Sequence, residues 1–306
     1  MVKQVCPREP PSARTEYAAP FGPLVWRRCG AQLEIDLTEY RRNGYACLRG
    51  LFAREEVQQV RADAENVFRA QMRRVGNAAS DAPAGSDSFA RGLFELFRED
   101  EATFINCGKQ VQHLISLHRL ALDERIVGIL ADLGIQRPNI NTRPVLFFNS
   151  RHLARDAVYW KVDAHQDWYS MQGSLDSAVV WVALCDIDRS LGALEVVPGS
   201  HREGLIVDEA VSGFGMTHQF DDEAFIPVEV SAGDAMIFSS FLVHRSGNNS
   251  TPAGIRWSCH FRYNNLDDPT FVDRGFPHSF IYESIPDLIT PGFPTRAQVG
   301  AVFGDA

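Results

Sequence analysis

Several absences narrow the possibilities at once. No stretch approaches the ~18 consecutive apolar residues of a membrane-spanning helix, and the polar, proline-rich start from Met1 to Pro23 has no apolar signal segment. The expectation is a cytoplasmic protein with no membrane partner. No CxxC pair occurs. The six cysteines (Cys6, Cys29, Cys47, Cys107, Cys185 and Cys259) are scattered, a pattern that fits neither a zinc knuckle nor a small disulfide framework. Positive charge is also in deficit. A formal charge of −9 argues against a nucleic-acid partner, because phosphate binding needs clustered Lys and Arg. It leaves room for an anionic small molecule in a local basic pocket.

What is present suits one catalytic core with appendages. At 306 residues, with 45% hydrophobic and 23% charged side chains, the chain can bury a substantial core. Residues 1–35 carry five prolines and little periodicity, and read as an N-terminal tail or arm. Residues 36–306 read as a single domain: a helical part over about 36–138, a β core over about 139–265 and a C-terminal wrap over 266–306. The helical part opens with a short helix through Tyr40, a strand Tyr45–Leu48 and a helix Glu55–Met72 with apolar positions at Val57, Val60, Ala64, Val67 and Phe68. Gly76–Ala90, rich in Ala, Ser, Asp and Gly, reads as a loop. Helical patterns resume over Phe104–Leu120 and Asp123–Leu133.

After Pro138 the texture changes. Short runs rich in Val, Ile, Phe and Trp predict strands at Ile140–Phe148, Val158–Ala164, Ser177–Leu184, Leu194–Val197, Ile226–Val230, Ala235–Phe238 and Trp257–Tyr263. Many short strands with Gly and Pro punctuation point to a two-sheet jelly roll, a cupin-like double-stranded β-helix, with the preceding helices buttressing one face.

One constellation carries chemistry. In an extended chain, residues i and i+2 project to one side, so His165 and Asp167 in Ala164-His165-Gln166-Asp167 can grip one ion together. His244 follows a turn and the apolar run Ala235–Phe238, the pattern of a partner strand delivering a third ligand. Two imidazoles and one carboxylate form the facial set of non-haem iron(II) sites and leave three positions open. Twelve residues on, Arg256 begins an apolar strand. A guanidinium in such surroundings is costly unless it meets a carboxylate.

Taken together, Tyr40–Phe52, His165-Gln166-Asp167, Gly192–His201, Gly233-Asp234, and His244 with Ser246, Asn248 and Arg256 resemble the phytanoyl-CoA dioxygenase family of iron(II)- and 2-oxoglutarate-dependent oxygenases, over about residues 35–265. The resemblance implies iron(II) on His165, Asp167 and His244, with 2-oxoglutarate and O₂ as co-substrates. It implies that Arg256 and Ser246 clamp the distal carboxylate of 2-oxoglutarate and that Trp181 lies along it. Either Thr142 or Asn149 is open as a further polar contact. Trp168, Tyr169 and Gln172, which follow the metal motif, are candidates for the substrate border, though a hydrophobic plug explains them as well. His260 can reach the pocket; Lys161, Arg143 and Arg262 can bind an anionic substrate or face solvent. His201 reads as a loop-stabilising residue, and the remaining histidines as ordinary ones.

The function this implies is oxidation of a small organic metabolite by hydroxylation, desaturation or cyclisation, in natural-product or sugar-related biosynthesis. Related halogenases carry a small residue in place of the carboxylate, so Asp167 disfavours halogenation. Two other classes compete: a cupin-like metalloenzyme that does not use 2-oxoglutarate, and a non-catalytic jelly-roll binding module. Oligomeric state is not encoded in any of these signals.

Overall fold

The computed structural model describes residues 35–153, 162–206 and 220–277, together with Thr295 and Gln298. The expected N-terminal arm, most of the C-terminal wrap, Lys161 and most of the Val158–Ala164 strand lie outside the described residues.

Helix α1 (Leu37–Asn43) starts where the Asp36 carboxylate accepts the Thr38 and Glu39 N–H groups, each at 2.9 Å. It stops at Gly44, whose φ of +83° is the left-handed cap that glycine adopts without strain. The chain then enters β1 (Tyr45–Leu48) and α2 (Arg54–Arg74). Val57, Val60, Ala64, Phe68 and Met72, spaced three or four apart, form the buried stripe of α2. Helices α3 (Asp87–Glu99), α4 (Glu101–Gln110), α5 (Ile115–Ala121) and α6 (Glu124–Asp132) complete the helical layer.

The expected loop at 76–90 is not wholly a loop. It contains a 3₁₀ turn at Ala78–Asp81, and α3 begins within it, capped by the Ser86 hydroxyl on the Phe89 N–H. Beyond that cap, Phe89, Leu93, Leu96 and Phe97 give α3 a buried face.

The strands are β2 (Pro138–Ile140), β3 (Val145–Asn149), β4 (Ala178–Ala183), β5 (Leu194–Val196), β6 (Ile226–Val228), β7 (Ala235–Ser239), β8 (His244–Ser246) and β9 (Arg256–Asn265). Short helices α7 (Trp168–Met171) and α8 (Pro269–Asp273) sit beside them. The larger antiparallel sheet runs β1-β7-β4-β9-β2, with β3 also on β9; the smaller runs β6-β5-β8. Together they form the double-stranded β-helix core.

Alternation along the larger sheet divides the core. Ala178, Val180 and Val182 of β4, with Trp257, Cys259, Phe261 and Tyr263 of β9, join α2–α6 in one apolar cluster. Val179, Trp181 and Ala183, with Met236 and Phe238 of β7, face the smaller sheet in a second. Strand β4 is buried on both faces, which is why its sequence is unbroken apolar. Strand β9 differs: its inward row is Arg256, Ser258, His260, Arg262 and Asn264, five polar side chains on one face.

Gly233-Asp234 is structural. Asp234 accepts from Arg49 (2.8 Å), the Gly50 N–H (2.7 Å) and the Ser231 N–H (2.9 Å), tying β7 to the turn after β1. Gly233 has φ +93°, and a Cβ there would strike the Phe52 carbonyl.

Candidate active site

His165 and His244 are placed by backbone pairing. The His165 N–H donates to the His244 carbonyl at 3.0 Å, and the His244 N–H returns the bond at 3.1 Å. Side chains of such a pair lie on one face, and the ring centroids are 4.2 Å apart. Asp167 follows where the strand-like segment turns into α7, with φ −64° and ψ −29°. Its carboxylate lies 3.6 Å from His165 Nε2. One ligand atom from each of the three residues falls within 4.8 Å of the others, and all three residues are buried.

Intervening Gln166 points away from this centre. Its amide donates to the Gly204 and Phe241 carbonyls (2.8 and 2.7 Å) and accepts the Ile206 N–H (2.8 Å), so its hydrogen bonds fix the loop that carries its neighbours.

The imidazoles are oriented for a metal. His165 Nδ1 donates to the Asp163 carbonyl (2.8 Å) and His244 Nδ1 to the Leu242 carbonyl (2.9 Å). A carbonyl only accepts, so each proton sits on Nδ1 and each Nε2 keeps its lone pair for the shared centre. Burial, reinforced by the neighbouring His165, pushes His244 down to about 3, which keeps it neutral. Burial alone would raise the Asp167 carboxyl, but the adjacent Arg262 guanidinium outweighs it and holds it well below its usual value. Arg262 makes the closest contact, Nη2 to Oδ1 at 2.7 Å. Two neutral nitrogens and one ionised oxygen are a donor set that fits a divalent iron ion.

These groups open onto a cavity of about 620 Å³, which Trp181, Ser246, Arg256, His260 and Arg262 also line. Arg256 is 1% exposed. It donates to the Gly192 carbonyl and, at 3.3 Å, to Ser246 Oγ, while its Nε is buried without a partner. Burial lowers its pKa to about 10, so it stays charged at neutral pH. It makes no ion pair with a carboxylate among the described residues. A buried cation of this kind strongly favours an anionic guest.

Thr142 lines the cavity, but Asn149 does not; it pairs with Arg256 across the β3–β9 ladder. Asn141, overlooked in the sequence, lines the cavity as well. Asn248 is exposed, and its neighbour Asn249 is the buried residue, donating to the Asn149 and Gly254 carbonyls at 3.0 Å each. Trp168, Tyr169 and Gln172 are not among the lining residues, whereas Ser170 is. Trp168 stacks on Phe241, and its indole N–H donates to the Ser174 carbonyl; Tyr169 is half exposed; Gln172 donates to the Tyr169 carbonyl. Helical geometry in α7 turns Ser170 inward and Trp168 and Tyr169 away, and Gln172 ends the helix in a left-handed cap. His201 packs on Gly44, His118 hydrogen-bonds the Gln112 carbonyl, and His152 hydrogen-bonds the Pro252 carbonyl.

Among the described residues, no helix is long and apolar enough to cross a membrane.

Comparison with known proteins agrees with the geometry. The chain is similar to phytanoyl-CoA dioxygenase domain-containing protein 1 of Danio rerio, with 25% identity over 258 residues, covering 71% of this chain and 85% of that protein. It is also similar to 1-deoxypentalenic acid 11-beta-hydroxylase of Streptomyces exfoliatus, with 28% identity over 124 residues, 37% of this chain and 42% of that one. Among solved structures it is similar to the epimerase SnoN in complex with Fe3+, alpha ketoglutarate and nogalamycin RO, at 20% identity and a TM-score of 0.48, covering 83% of this chain and 94% of that chain. The family model for phytanoyl-CoA dioxygenase matches residues 40–257, a span that contains His165, Asp167, His244 and Arg256. The chain belongs to the phytanoyl-CoA dioxygenase family, whose members are iron(II)- and 2-oxoglutarate-dependent oxygenases.

Proposed function

We propose that this chain oxidises a small organic molecule held in the cavity, with His165, Asp167 and His244 as iron(II) ligands and Arg256 with Ser246 as the clamp for the distal carboxylate of 2-oxoglutarate. One observation carries the reading: a buried His-Asp-His cluster and a buried arginine without a carboxylate open onto the same cavity. When bound, iron(II) with 2-oxoglutarate and O₂ supplies the oxidising chemistry. The protein's own contributions are separate. The two Nδ1–H contacts fix the rings with Nε2 aimed at the shared centre, Asp167 supplies negative charge, and Arg256 fixes the far end of the co-substrate. Trp181, from the floor of β4, lies along it. Val145, Phe147 and Leu194 make the cavity walls apolar and restrict water. Hydroxylation, desaturation and cyclisation all begin by removing hydrogen from a C–H bond placed there, in natural-product or sugar-related biosynthesis.

The test is anaerobic titration of the purified chain with iron(II) and then 2-oxoglutarate, followed by admission of O₂. The expected result is one iron per chain, a weak visible band that needs 2-oxoglutarate, and slow succinate formation. Iron binding without 2-oxoglutarate binding would replace this reading with a cupin-like metalloenzyme. Binding of neither would leave a jelly-roll binding module.

A further inference from the structure

The cavity walls carry more positive charge than the metal and co-substrate account for. Among the described residues, Lys109, Arg143, Arg256 and Arg262 line it against the single carboxylate of Asp167, in a chain of formal charge −9. A bound iron(II) adds two positive charges and the 2-oxoglutarate dianion removes two, so the excess persists with both in place. Two of the cations have assigned contacts: Arg262 meets Asp167, and Arg256 faces the distal carboxylate of the co-substrate.

Arg143 is different. It lies between β2 and β3 where the ladder against β9 jumps, from Ile140 opposite Tyr263 to Val145 opposite His260. Four residues, 141–144, therefore face two, and such a bulge re-aims side chains. Pro144, which has no N–H for a ladder, sits in this bulge. The result is an exposed guanidinium on the cavity rim, with no hydrogen bond or ion pair to any described residue. The cavity walls also include Ile105, Val145, Phe147 and Leu194.

We propose that the substrate is an organic anion whose apolar body fills the cavity and whose carboxylate or phosphate is held by Arg143. This rests on the oxygenase reading above and specifies what that site accepts. A guanidinium fork matches either oxyanion in a two-point contact, and like charges lining a low-dielectric cleft attract an anion from solution.

Matched aromatic probes test it: 2-naphthoate, 2-naphthyl phosphate and neutral 2-naphthamide, titrated anaerobically by fluorescence into the full chain loaded with iron(II) and 2-oxoglutarate. At least one anion binds tighter than the amide by roughly tenfold, the scale of one charge-assisted contact, and the tighter of the two identifies the oxyanion. Arg143→Glu removes the preference and Arg143→Lys keeps part of it. Arg91→Glu, a reversal on the exposed side of α3, keeps it whole and controls for net charge. Equal affinity for all three probes, binding of none, or a preference that survives Arg143→Glu overturns the proposal. Co-substrate binding is measured first: if 2-oxoglutarate fails to bind, the oxygenase reading falls and this one with it. If it binds and the probes are not discriminated, only the substrate assignment falls.

Discussion

His165 and His244, 79 positions apart in the chain, exchange both backbone hydrogen bonds at 3.0 and 3.1 Å, which sets their imidazoles side by side, tilted 51° to one another with centroids 4.2 Å apart. The two Nε2 atoms are thus brought together by main-chain pairing, and side-chain contacts have only to orient the rings. Replacing either ring by a smaller side chain leaves the pairing intact while removing a ligand. His244→Ala is therefore expected to stay folded by circular dichroism yet lose most iron affinity and the 2-oxoglutarate-dependent band. Full iron content in that variant would move the third ligand elsewhere.

Arg256 separates co-substrate binding from metal binding. Its guanidinium meets the Gly192 carbonyl and Ser246, not the metal ligands. Arg256→Ala should weaken 2-oxoglutarate by about 2–5 kcal/mol, tens-fold or more, while iron affinity changes little. Arg256→Lys should recover only part, because an ammonium lacks the planar fork. Thermal shift provides the check, since saturating 2-oxoglutarate should raise the melting temperature of the parent and not of Arg256→Ala. Equal shifts in both proteins would place the clamp on another residue.

Much of this was legible in the sequence because it depends on local pattern. His165, Asp167, His244, Ser246, Trp181 and Arg256 all line the cavity, and the expected helix-strand-helix opening is α1, β1 and α2. What escaped depends on distant partners. Strand β9 alternates polar and apolar, but only the helices covering its outer face reveal that the polar row points inward. Arg262 meets Asp167 across 95 positions of sequence with no local signal for it. Helix α3 was hidden because its Ala-, Gly- and Ser-rich approach resembles a linker, and its Ser86 cap looks like any loop serine. On sequence grounds Trp168, Tyr169 and Gln172 fit either a pocket border or a hydrophobic plug, but a single helical turn sends successive side chains in different directions, and of residues 168–172 only Ser170 lines the cavity.

Acid sensitivity follows from His244. Burial pushes it down to about 3, from an ordinary value of 6.5. Below pH 6.5 the unfolded chain takes up a proton at this histidine that the folded, metal-free chain does not. The stability present above pH 6.5 should therefore fall as pH drops toward 3, by up to ~1.4 kcal/mol per pH unit from this residue. Urea midpoints of metal-free protein between pH 7 and 5 measure the slope, and His244→Gln should flatten it. Parallel slopes in the two proteins would mean that other groups set the acid limit.

The ion pair between Arg262 and Asp167 makes the last prediction, because each partner is buried enough to need the other. The side chains are 15% and 3% exposed, and the contact is 2.7 Å. Removing one partner leaves a charge in a poorly solvated site, a loss of order 3–5 kcal/mol for a fully buried pair and less here, where Arg262 retains some solvent. Removing both eliminates the ions together with the need for them. Asp167→Asn and Arg262→Leu should each lower the urea midpoint of the metal-free protein, while the double variant should be more stable than the sum of the single losses predicts, by about 1–3 kcal/mol. Strict additivity would mean that solvent or another group already neutralises Asp167, and the ion pair would then have no part in keeping the carboxylate charged. Iron titration of the same three proteins separates stability from ligation. Asp167→Asn and the double variant should bind iron poorly whatever their stability, since an amide supplies no negative charge, whereas Arg262→Leu retains the carboxylate and should still bind.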